Sequence, residues 1–341
     1  MGFRTTIIGL GRIGSAIGLA LNQTGANLEL IGHDKDHEAA RRAQKNGCVD
    51  RTEWNLINAC DGADLVVVAI PLGEIRATLA AIGPELKQGC VVTDTAGLKC
   101  PVLTWAKETL PDSVFFVGGH PIVDKRNEDG SLPTTGLLAG ATYCLTPATN
   151  TPPEALQRVS DLVEAVGAQP YFIDAAEHDG LIAAVEQLPQ VLAVALQNVA
   201  GVSQSCREIR QLSGVDFYRV TRLLEGDPEK LAALCMENTP NVTRWLDDLV
   251  SHLASFQAAL SSGDRETIEK VFSAGAEAYA NWAIKGSQAG GTTDYSDFSM
   301  THMMLGDAFR ARIPPKLDAA RPAGAQAPAG EAPEVPGGKD K

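Results

Sequence analysis

A glycine-rich turn directly after a short apolar run is the feature that most restricts how this chain can fold. Residues 5–18 read TTIIGLGRIGSAIG, which places G-x-G-x-x-G between a predicted strand and a predicted helix. Gly9 permits the tight turn, Gly11 lets the backbone approach a pyrophosphate, and Gly14 allows close packing of helix and strand. The positive N-terminal end of the helix would then hold the diphosphate of a dinucleotide. The predicted contacts are Gly9, Leu10, Gly11, Arg12, Ile13 and Gly14.

An acidic residue follows at the spacing that such a site requires. Asp34 comes twenty residues after Gly14, at the end of the second predicted strand, where its carboxylate can accept both ribose hydroxyls. Because an acid repels a 2′-phosphate, NAD is favoured over NADP, although Lys35, Arg41 and Arg42 keep NADP open. The competing interpretation is a glycine turn without a ligand, in which Asp34 caps a helix that begins at Lys35.

The order of the predicted elements indicates an α/β fold. Over residues 1–175, short β-branched runs alternate with helical stretches, which is typical of a mostly parallel sheet of the Rossmann type. The predicted strands are 5–9, 28–32, 65–70, 91–94, 114–118, 142–145 and 170–173. Residues 176–312 are predicted to form an all-helical domain, with a long apolar helix over 179–202 that Pro189 should kink. The Pro-, Ala- and Gly-rich segment 313–341 is predicted to be a disordered tail.

Composition argues against several classes of partner. The chain of 341 residues carries a formal net charge of −13, and such an acidic surface repels nucleic acids and anionic membranes. Its seven cysteines are scattered without a C-x-x-C pair, which indicates reduced thiols in the cytosol rather than a disulfide framework or a metal site. We expect no run long enough to span a bilayer. A cytoplasmic protein is therefore predicted.

Several segments resemble the prephenate/arogenate dehydrogenases of tyrosine biosynthesis, a branch of aromatic amino acid biosynthesis. They include the glycine turn, Gly32–Asp34 (GHD), Asp64–Pro71 (DLVVVAIP), Asp94–Lys99, Gly118–Pro121 (GGHP), Gly140–Pro147, Glu177–Asp179 (EHD) and Thr221–Pro228. The resemblance implies a dinucleotide domain, a helical domain that also forms the dimer, and oxidative decarboxylation. In that reaction a hydride passes from a cyclohexadienol carboxylate to NAD. Ile70 and Pro71, which end the DLVVVAIP segment, are further predicted cofactor contacts.

Two residues are candidate catalytic groups. Hydride removal from a secondary alcohol needs a group that takes the hydroxyl proton, and a neutral imidazole suits this task. His120 follows a predicted strand, so we expect it at a carboxyl end of the sheet, and it matches the histidine of the family's Gly-Gly-His-Pro motif. Its alternative role is a strand-end histidine bonded to backbone. Lys99 matches the family lysine beside the nicotinamide, and its alternative is a lysine that starts a helix.

The resemblance also implies groups that bind a dicarboxylate substrate. Arg222 matches the family arginine that holds a substrate carboxylate, and its alternative is a surface arginine paired with Glu225 or Asp227. Two histidines on the family's long helix are replaced here by Gln187 and Gln190. Both glutamines keep hydrogen-bonding capacity without positive charge, and both are predicted to contact the substrate.

Two further departures from the family alter the expected substrate pocket. The serine that would touch the reacting hydroxyl is Gly97 here, so Thr95 or Thr93 is the candidate replacement. After the Gly-Gly-His-Pro motif, a family carboxylate is replaced by cations, and Arg126 is a predicted substrate contact. These changes leave fold and cofactor intact but leave the identity of the substrate open.

The remaining polar residues support less specific expectations. His178 is interpreted as part of an acidic helix start, and Glu186 either pairs inside a dimer or turns toward the site. The long apolar helix predicts a homodimer through the helical domain. The alternative enzyme is a β-hydroxyacid dehydrogenase acting on another small carboxylate. Because the serine and both histidines are lost, a non-catalytic NAD-binding regulator is the alternative outside the enzymes.

Overall fold

A single sheet of eight strands organises the N-terminal half of the described chain. The structure is a computed structural model, and it describes residues 2–123, 136–148, 150–225 and 227–288. The strand order is β3-β2-β1-β4-β5-β6-β7-β8. The strands are β1 Phe3–Ile8, β2 Leu28–His33, β3 Arg51–Thr52, β4 Leu65–Val68, β5 Val91–Asp94, β6 Phe115–Pro121, β7 Thr142–Pro147 and β8 Gln169–Phe172. Only the β6–β7 pair is antiparallel among them, so the predicted mostly parallel α/β sheet is confirmed.

The strand order determines where a ligand can enter. The chain moves outward from β1 to β3, then returns to the other side of β1 and continues from β4 to β6. Open α/β sheets bind ligands at such a switch point, in the crevice at the carboxyl ends of the strands. The predicted strands omitted β3 because two residues are too few to show a periodic pattern.

Helices cover both faces of the sheet. They are α1 Arg12–Gln23, α2 His37–Lys45, α3 Leu56–Cys60, α4 Leu72–Ile82, α5 Cys100–Thr109 and α6 Pro153–Ala165. One hydrophobic cluster joins the sheet to α1 and α6, and a second joins it to α4 and α5. All four residues of β4 are buried, as expected for a central strand covered on both sides.

The described chain is helical from Ala175 onward. The helices are α7 Ala175–Ile182, α8 Leu188–Val202, α9 Cys206–Leu212, α10 Val215–Thr221, α11 Pro228–Glu237, α12 Thr239–Ser262 and α13 Arg265–Gln288. A π-helical turn over Ala183–Gln187 joins α7 to α8, and a 3₁₀ turn over Arg222–Leu224 follows α10. The predicted change from strands to helices therefore occurs between Phe172 and Ala175.

A kink was predicted at Pro189, and the structure has a π-helical turn just before this residue. Proline has no backbone N–H, and its ring clashes with the carbonyl four residues earlier, at Val185. A wider turn over Ala183–Gln187 separates these groups and lets Pro189 occupy the first turn of α8. The long helix thus continues from Ala175 to Val202 without a break.

This long helix corrects the expectation that the chain has no segment of membrane-spanning length. By length and composition alone, Ala175–Val202 passes that test, with a mean hydropathy of 1.3 in its most apolar window. Core helices of globular proteins pass it too, so the result is weak evidence for a membrane. Only 28% of the window is buried, and Val185, Val194 and Val199 are exposed. An apolar face of this size marks an interaction surface.

Three expectations concern residues outside the described part of the chain. They are the substrate contact of Arg126, the end of the helical domain after residue 288, and the tail over 313–341.

Candidate active site

The glycine turn has the geometry predicted for it. Gly9 has a φ of +91°, in the left-handed region that favours glycine, and its N–H donates to the carbonyl of His33. A Cβ atom on Gly14 would collide with the carbonyl oxygen of Gly9. In contrast, a Cβ atom on Gly11 would meet nothing within 4 Å, and Gly11 directly precedes helix α1. The turn is therefore tightly closed at two glycines and open at the third, next to a positive helix end, which fits a diphosphate.

Asp34 lies against this turn. One carboxylate oxygen accepts the N–H of Leu10 at 2.7 Å, and the other accepts the N–H of Asp36 at 2.8 Å. Helix α2 is capped by Asp36, whose side chain accepts the N–H of Glu38, so the capping role considered for Asp34 belongs to Asp36. Each carboxylate oxygen of Asp34 keeps a further lone pair that can accept a ribose hydroxyl.

The three cations that keep NADP open in the sequence each have an acidic partner. Lys35 pairs with Glu74 at 2.5 Å, and Arg41 pairs with Glu38 at 3.0 Å. Arg42 lies 3.8 Å from the carboxylate of Asp36. These neighbours reduce the positive potential that a 2′-phosphate would need, which weakens the case for NADP.

His120 heads a buried row of three polar side chains. Its Nδ1 lies 3.0 Å from Nε2 of His178, and Nδ1 of His178 lies 2.8 Å from a carboxylate oxygen of Asp179. The exposed fractions are 7%, 1% and 2%. Burial by itself would raise the pKa of the Asp179 carboxyl, but hydrogen bonds from His178 and from the backbone N–H groups of Cys100 and Lys99 lower it overall. Asp179 is therefore ionised at neutral pH.

His178 lies in the acidic start of α7, as interpreted from the sequence. The N-cap of α7 is Asp174, which accepts the N–H groups of Ala176 and Glu177. The ring of His178 is also buried and meets the ring of His120, 58 positions earlier in the chain. The EHD triplet directly after the last strand is the sequence signal that could have suggested this contact.

The side chain of Lys99 lies in the protein interior, beside the backbone that precedes His120. Its side chain is fully buried, and Nζ donates to Asp94 at 2.5 Å and to the carbonyl of Gly119 at 2.6 Å. Burial lowers the pKa of the Lys99 ammonium, against the opposing effect of Asp94. Lys99 also precedes α5, as its alternative interpretation held. This geometry ties β5 to β6 and favours a structural role over direct contact with a ligand.

Gly97 lies beside the ring of His120. A Cβ atom on Gly97 would be 3.9 Å from Cε1 and Nε2 of His120, and also 3.9 Å from Leu234 of helix α11. Helix α11 of the helical region therefore reaches the same loop as the imidazole. Of the two candidate replacements for the family serine, Thr93 is fully buried beneath the sheet edge, whereas Thr95 is half-buried on the Gly97 loop. Thr95 is the better placed of the two.

The two glutamines of the long helix have different surroundings. The amide of Gln187 is 2% exposed, donates to the carbonyl of Leu234 at 2.8 Å and accepts from Asn238 at 2.7 Å. These bonds give Gln187 a role in joining helices, and its contact with a substrate stays a prediction. Gln190 has a buried side-chain oxygen without a hydrogen-bond partner in the described part of the protein. A buried acceptor of this kind requires a donor.

Arg222 lies on the surface of the helical region. Its guanidinium is 5.9 Å from the ring centroid of Tyr218. Within the described part of the chain, Arg222 forms no ion pair. The acids proposed as its partners are engaged elsewhere, because Glu225 accepts from Tyr218 and Asp227 pairs with Lys230. Arg222 thus keeps the capacity to bind an anion.

Fold and site together define a dinucleotide-dependent α/β enzyme with a helical second domain. The family model described as "Prephenate dehydrogenase, nucleotide-binding domain" matches residues 17–172, and "Prephenate dehydrogenase, dimerization domain" matches residues 174–274. The chain belongs to the prephenate dehydrogenase family. The predicted family, fold class and enzyme class are confirmed.

Individual relatives agree with this assignment. The cyclohexadienyl dehydrogenase of Zymomonas mobilis is 27% identical over 78% of this chain and 91% of its own length. The prephenate dehydrogenase of Lactococcus lactis is 27% identical over 79% of this chain and 74% of its own length. In fold, the arogenate dehydrogenase of Synechocystis matches with a TM-score of 0.70 at 24% identity, over 82% of this chain and 99% of its own. The prephenate dehydrogenase of Aquifex aeolicus, solved with hydroxyphenyl propionate and NAD+, matches with a TM-score of 0.75 at 23% identity. The match covers 82% of this chain and 97% of the Aquifex chain.

Proposed function

We propose that this chain is an NAD-dependent dehydrogenase that oxidatively decarboxylates prephenate or arogenate in tyrosine biosynthesis. The observation that carries the proposal is the position of His120. Its imidazole lies at the carboxyl end of β6, on the sheet edge that also carries the glycine turn, and its Nε2 side adjoins Gly97. A dinucleotide anchored at Gly11 can extend along this edge toward the imidazole.

The chemistry requires a base, a hydride acceptor and charge neutralisation. Bound NAD supplies the hydride acceptor. His120 takes the proton of the substrate hydroxyl, the hydride leaves the hydroxyl-bearing ring carbon, and the ring carboxylate departs as CO2. The electron pair of the broken carbon–carboxylate bond completes the aromatic ring as a phenolate, whose oxygen takes the proton back from His120. The residues of this chain therefore mainly orient the substrate and hold its proton.

Three described residues are proposed to contact the substrate. Arg222 has a guanidinium that can bind a carboxylate in bidentate fashion. The buried oxygen of Gln190 can accept a hydrogen bond from a hydroxyl or an ammonium group. Thr95 offers a hydroxyl on the loop where the family carries its serine. Arg126 remains a further proposed contact.

A direct assay tests the activity. We expect NADH to form when the purified protein is given NAD with prephenate, arogenate or both. Turnover with neither compound but with another small hydroxy acid would support the β-hydroxyacid dehydrogenase alternative. Tight NAD binding without turnover of any of these acids would instead indicate the regulator.

The open side of Gly11 predicts a selective loss of cofactor affinity. In Gly11→Ala the new methyl group fits the protein itself, so we expect an unchanged melting temperature. The same methyl group would occupy the space of the diphosphate, so NAD binding measured by calorimetry should weaken at least about tenfold. Gly275→Ala, also in open space but on α13, is the control and should bind NAD normally. Normal NAD binding by Gly11→Ala would contradict this placement of the diphosphate.

The position of Asp34 predicts that this carboxylate makes the protein prefer NAD over NADP. Asp34→Ala should weaken NAD binding by about 10- to 100-fold, the effect of losing charge-assisted hydrogen bonds, and NADP binding much less. Asp50→Ala is the matched control, since Asp50 also accepts a backbone N–H, from Leu30 at 2.8 Å, but directly precedes β3 at the amino ends of the strands. Calorimetric titration with NAD and NADP measures both constants. Equal losses for the two cofactors would mean that the carboxylate does not contact the ribose.

A homodimer through the helical domain and a cytoplasmic location are also proposed. Exposed apolar side chains continue from α8 onto the following helices, where none of the residues in Cys206–Leu212, Val215–Thr221 or Pro228–Glu237 is buried. Helices of this kind need a covering surface, and the family model for this region is that of a dimerization domain. Light scattering should give twice the chain mass, and a monomer would contradict the proposal.

A further inference from the structure

Two hydrogen bonds join His120, His178 and Asp179 in a row. Once Asp179 is ionised and His178 is uncharged, each hydrogen bond in the row can run in only one direction. These directions determine which ring nitrogen of His120 carries the proton. The inference drawn from them rests on the function proposed for His120.

The direction follows from the hydrogen-bonding capacities of the three groups. An ionised carboxylate can only accept, so Nδ1 of His178 donates its proton to Asp179. A neutral His178 then has a lone pair on Nε2, which can only accept. Nδ1 of His120 must therefore donate to it. The proton of His120 is thus on Nδ1, and Nε2 carries a lone pair.

The assignment applies to an uncharged His178, whose ring is only 1% exposed. The two rings meet edge-on, with an interplanar angle of 79° and centroids 5.2 Å apart, which suits a ring N–H that points at a lone pair.

The row is held in place from a third element. Asp179 accepts the backbone N–H groups of Lys99 and Cys100, each at 2.8 Å, at the start of α5. The side chain of Lys99 is in turn bonded to Asp94 of β5 and to Gly119 of β6. The carboxylate therefore cannot move relative to the strand that carries His120 without breaking buried hydrogen bonds.

We infer that His178, oriented by Asp179, is a positioning residue that keeps the proton of His120 on Nδ1 and leaves Nε2 as the base. Nε2 is on the side of the ring next to Gly97, where the substrate hydroxyl is proposed to lie. During the reaction the hydroxyl proton forms a bond to Nε2. His120 becomes an imidazolium whose Nδ1–H remains bonded to His178, and the negative charge of Asp179 stabilises it through that ring. When the proton leaves Nε2, the row returns to its starting state.

Two substitutions at position 178 separate positioning from packing. His178→Phe fills the space but offers no acceptor, and we expect kcat to fall about 10- to 100-fold with little change in KM. His178→Gln has a side-chain carbonyl that can accept from Nδ1 of His120, so kcat should recover to within a few-fold of the parent. Melting temperatures show whether both variants fold. Equal losses of kcat in the two folded variants, or a normal kcat in His178→Phe, would overturn the inference.

A measurement without substrate or cofactor tests the same claim independently. Nitrogen NMR of protein labelled at histidine, assigned with His120→Ala, reports which ring nitrogen bears the proton. We expect Nδ1 of His120 to be protonated and Nε2 not, and a mixture of both forms in His178→Phe. A proton on Nε2 in the parent protein would mean that His178 is charged and donates, which refutes the inference. If the expected tautomer is found but neither prephenate nor arogenate is turned over, the proposed function fails and the structural assignment stands.

Discussion

Replacing His120 by alanine is expected to lower kcat by about 10²- to 10⁴-fold, the usual contribution of a positioned general base. The imidazole is the group placed next to Gly97, and a methyl group cannot accept the hydroxyl proton. NAD affinity should change little, because the diphosphate and ribose are proposed to contact the glycine turn and Asp34. Initial rates of NADH formation and calorimetric titration with NAD measure the two quantities.

The control for this substitution is His252→Ala. His252 is exposed on helix α12, far along the chain from the sheet, so its loss should leave both kcat and NAD affinity unchanged. A His120→Ala protein that turns over within a few-fold of the parent would show that the base is elsewhere. A large loss of NAD affinity would show that the imidazole supports the cofactor instead.

Replacing Lys99 by methionine should destabilise the protein by about 3–5 kcal/mol, the cost of leaving one member of a buried ion pair without its partner. Methionine retains most of the volume of the lysine side chain but cannot neutralise Asp94, which is fully buried. It also leaves the carbonyl of Gly119 without the ammonium donor that now lies 2.6 Å away. Chemical denaturation gives the free energy of unfolding.

Lys87 provides a matched control for the effect of burial. It pairs with Asp64 at the same distance of 2.5 Å, but the two side chains are 41% and 27% exposed. Lys87→Met should therefore cost no more than about 1 kcal/mol. Similar losses for the two variants would mean that the Lys99 pair is solvated. A normal unfolding free energy combined with lost turnover would return Lys99 to the catalytic role expected from the family.

Residues close together in the sequence were predicted with most success. The strand, glycine turn and helix at the N-terminus appear as expected, and so does the β4 strand, buried on both faces. In each case the pattern, the spacing and the steric requirement lie within one or two neighbouring elements. The family resemblance then extended the prediction to His120 and to the helical second domain.

Predictions that depended on distant partners stay predictions, and the structure shows other contacts for these residues. Gln187 was expected to face a substrate, but its amide is used by Leu234 and Asn238, 47 and 51 positions later. Lys99 was expected beside a nicotinamide, yet it is buried under Gly119. Each residue type is compatible with both roles, and only the chain that returns to cover it decides between them.

The sequence by itself determined that this chain forms a dinucleotide-binding α/β domain followed by helices, because glycine stereochemistry and apolar periodicity act over a few residues. The tertiary structure alone decided how the imidazole at position 120 is supported. Its partner lies 58 positions away, and the carboxylate behind that partner is anchored to backbone 80 positions earlier. Hydrogen bonds across such separations depend on how strands and helices pack, and no local sequence pattern predicts them.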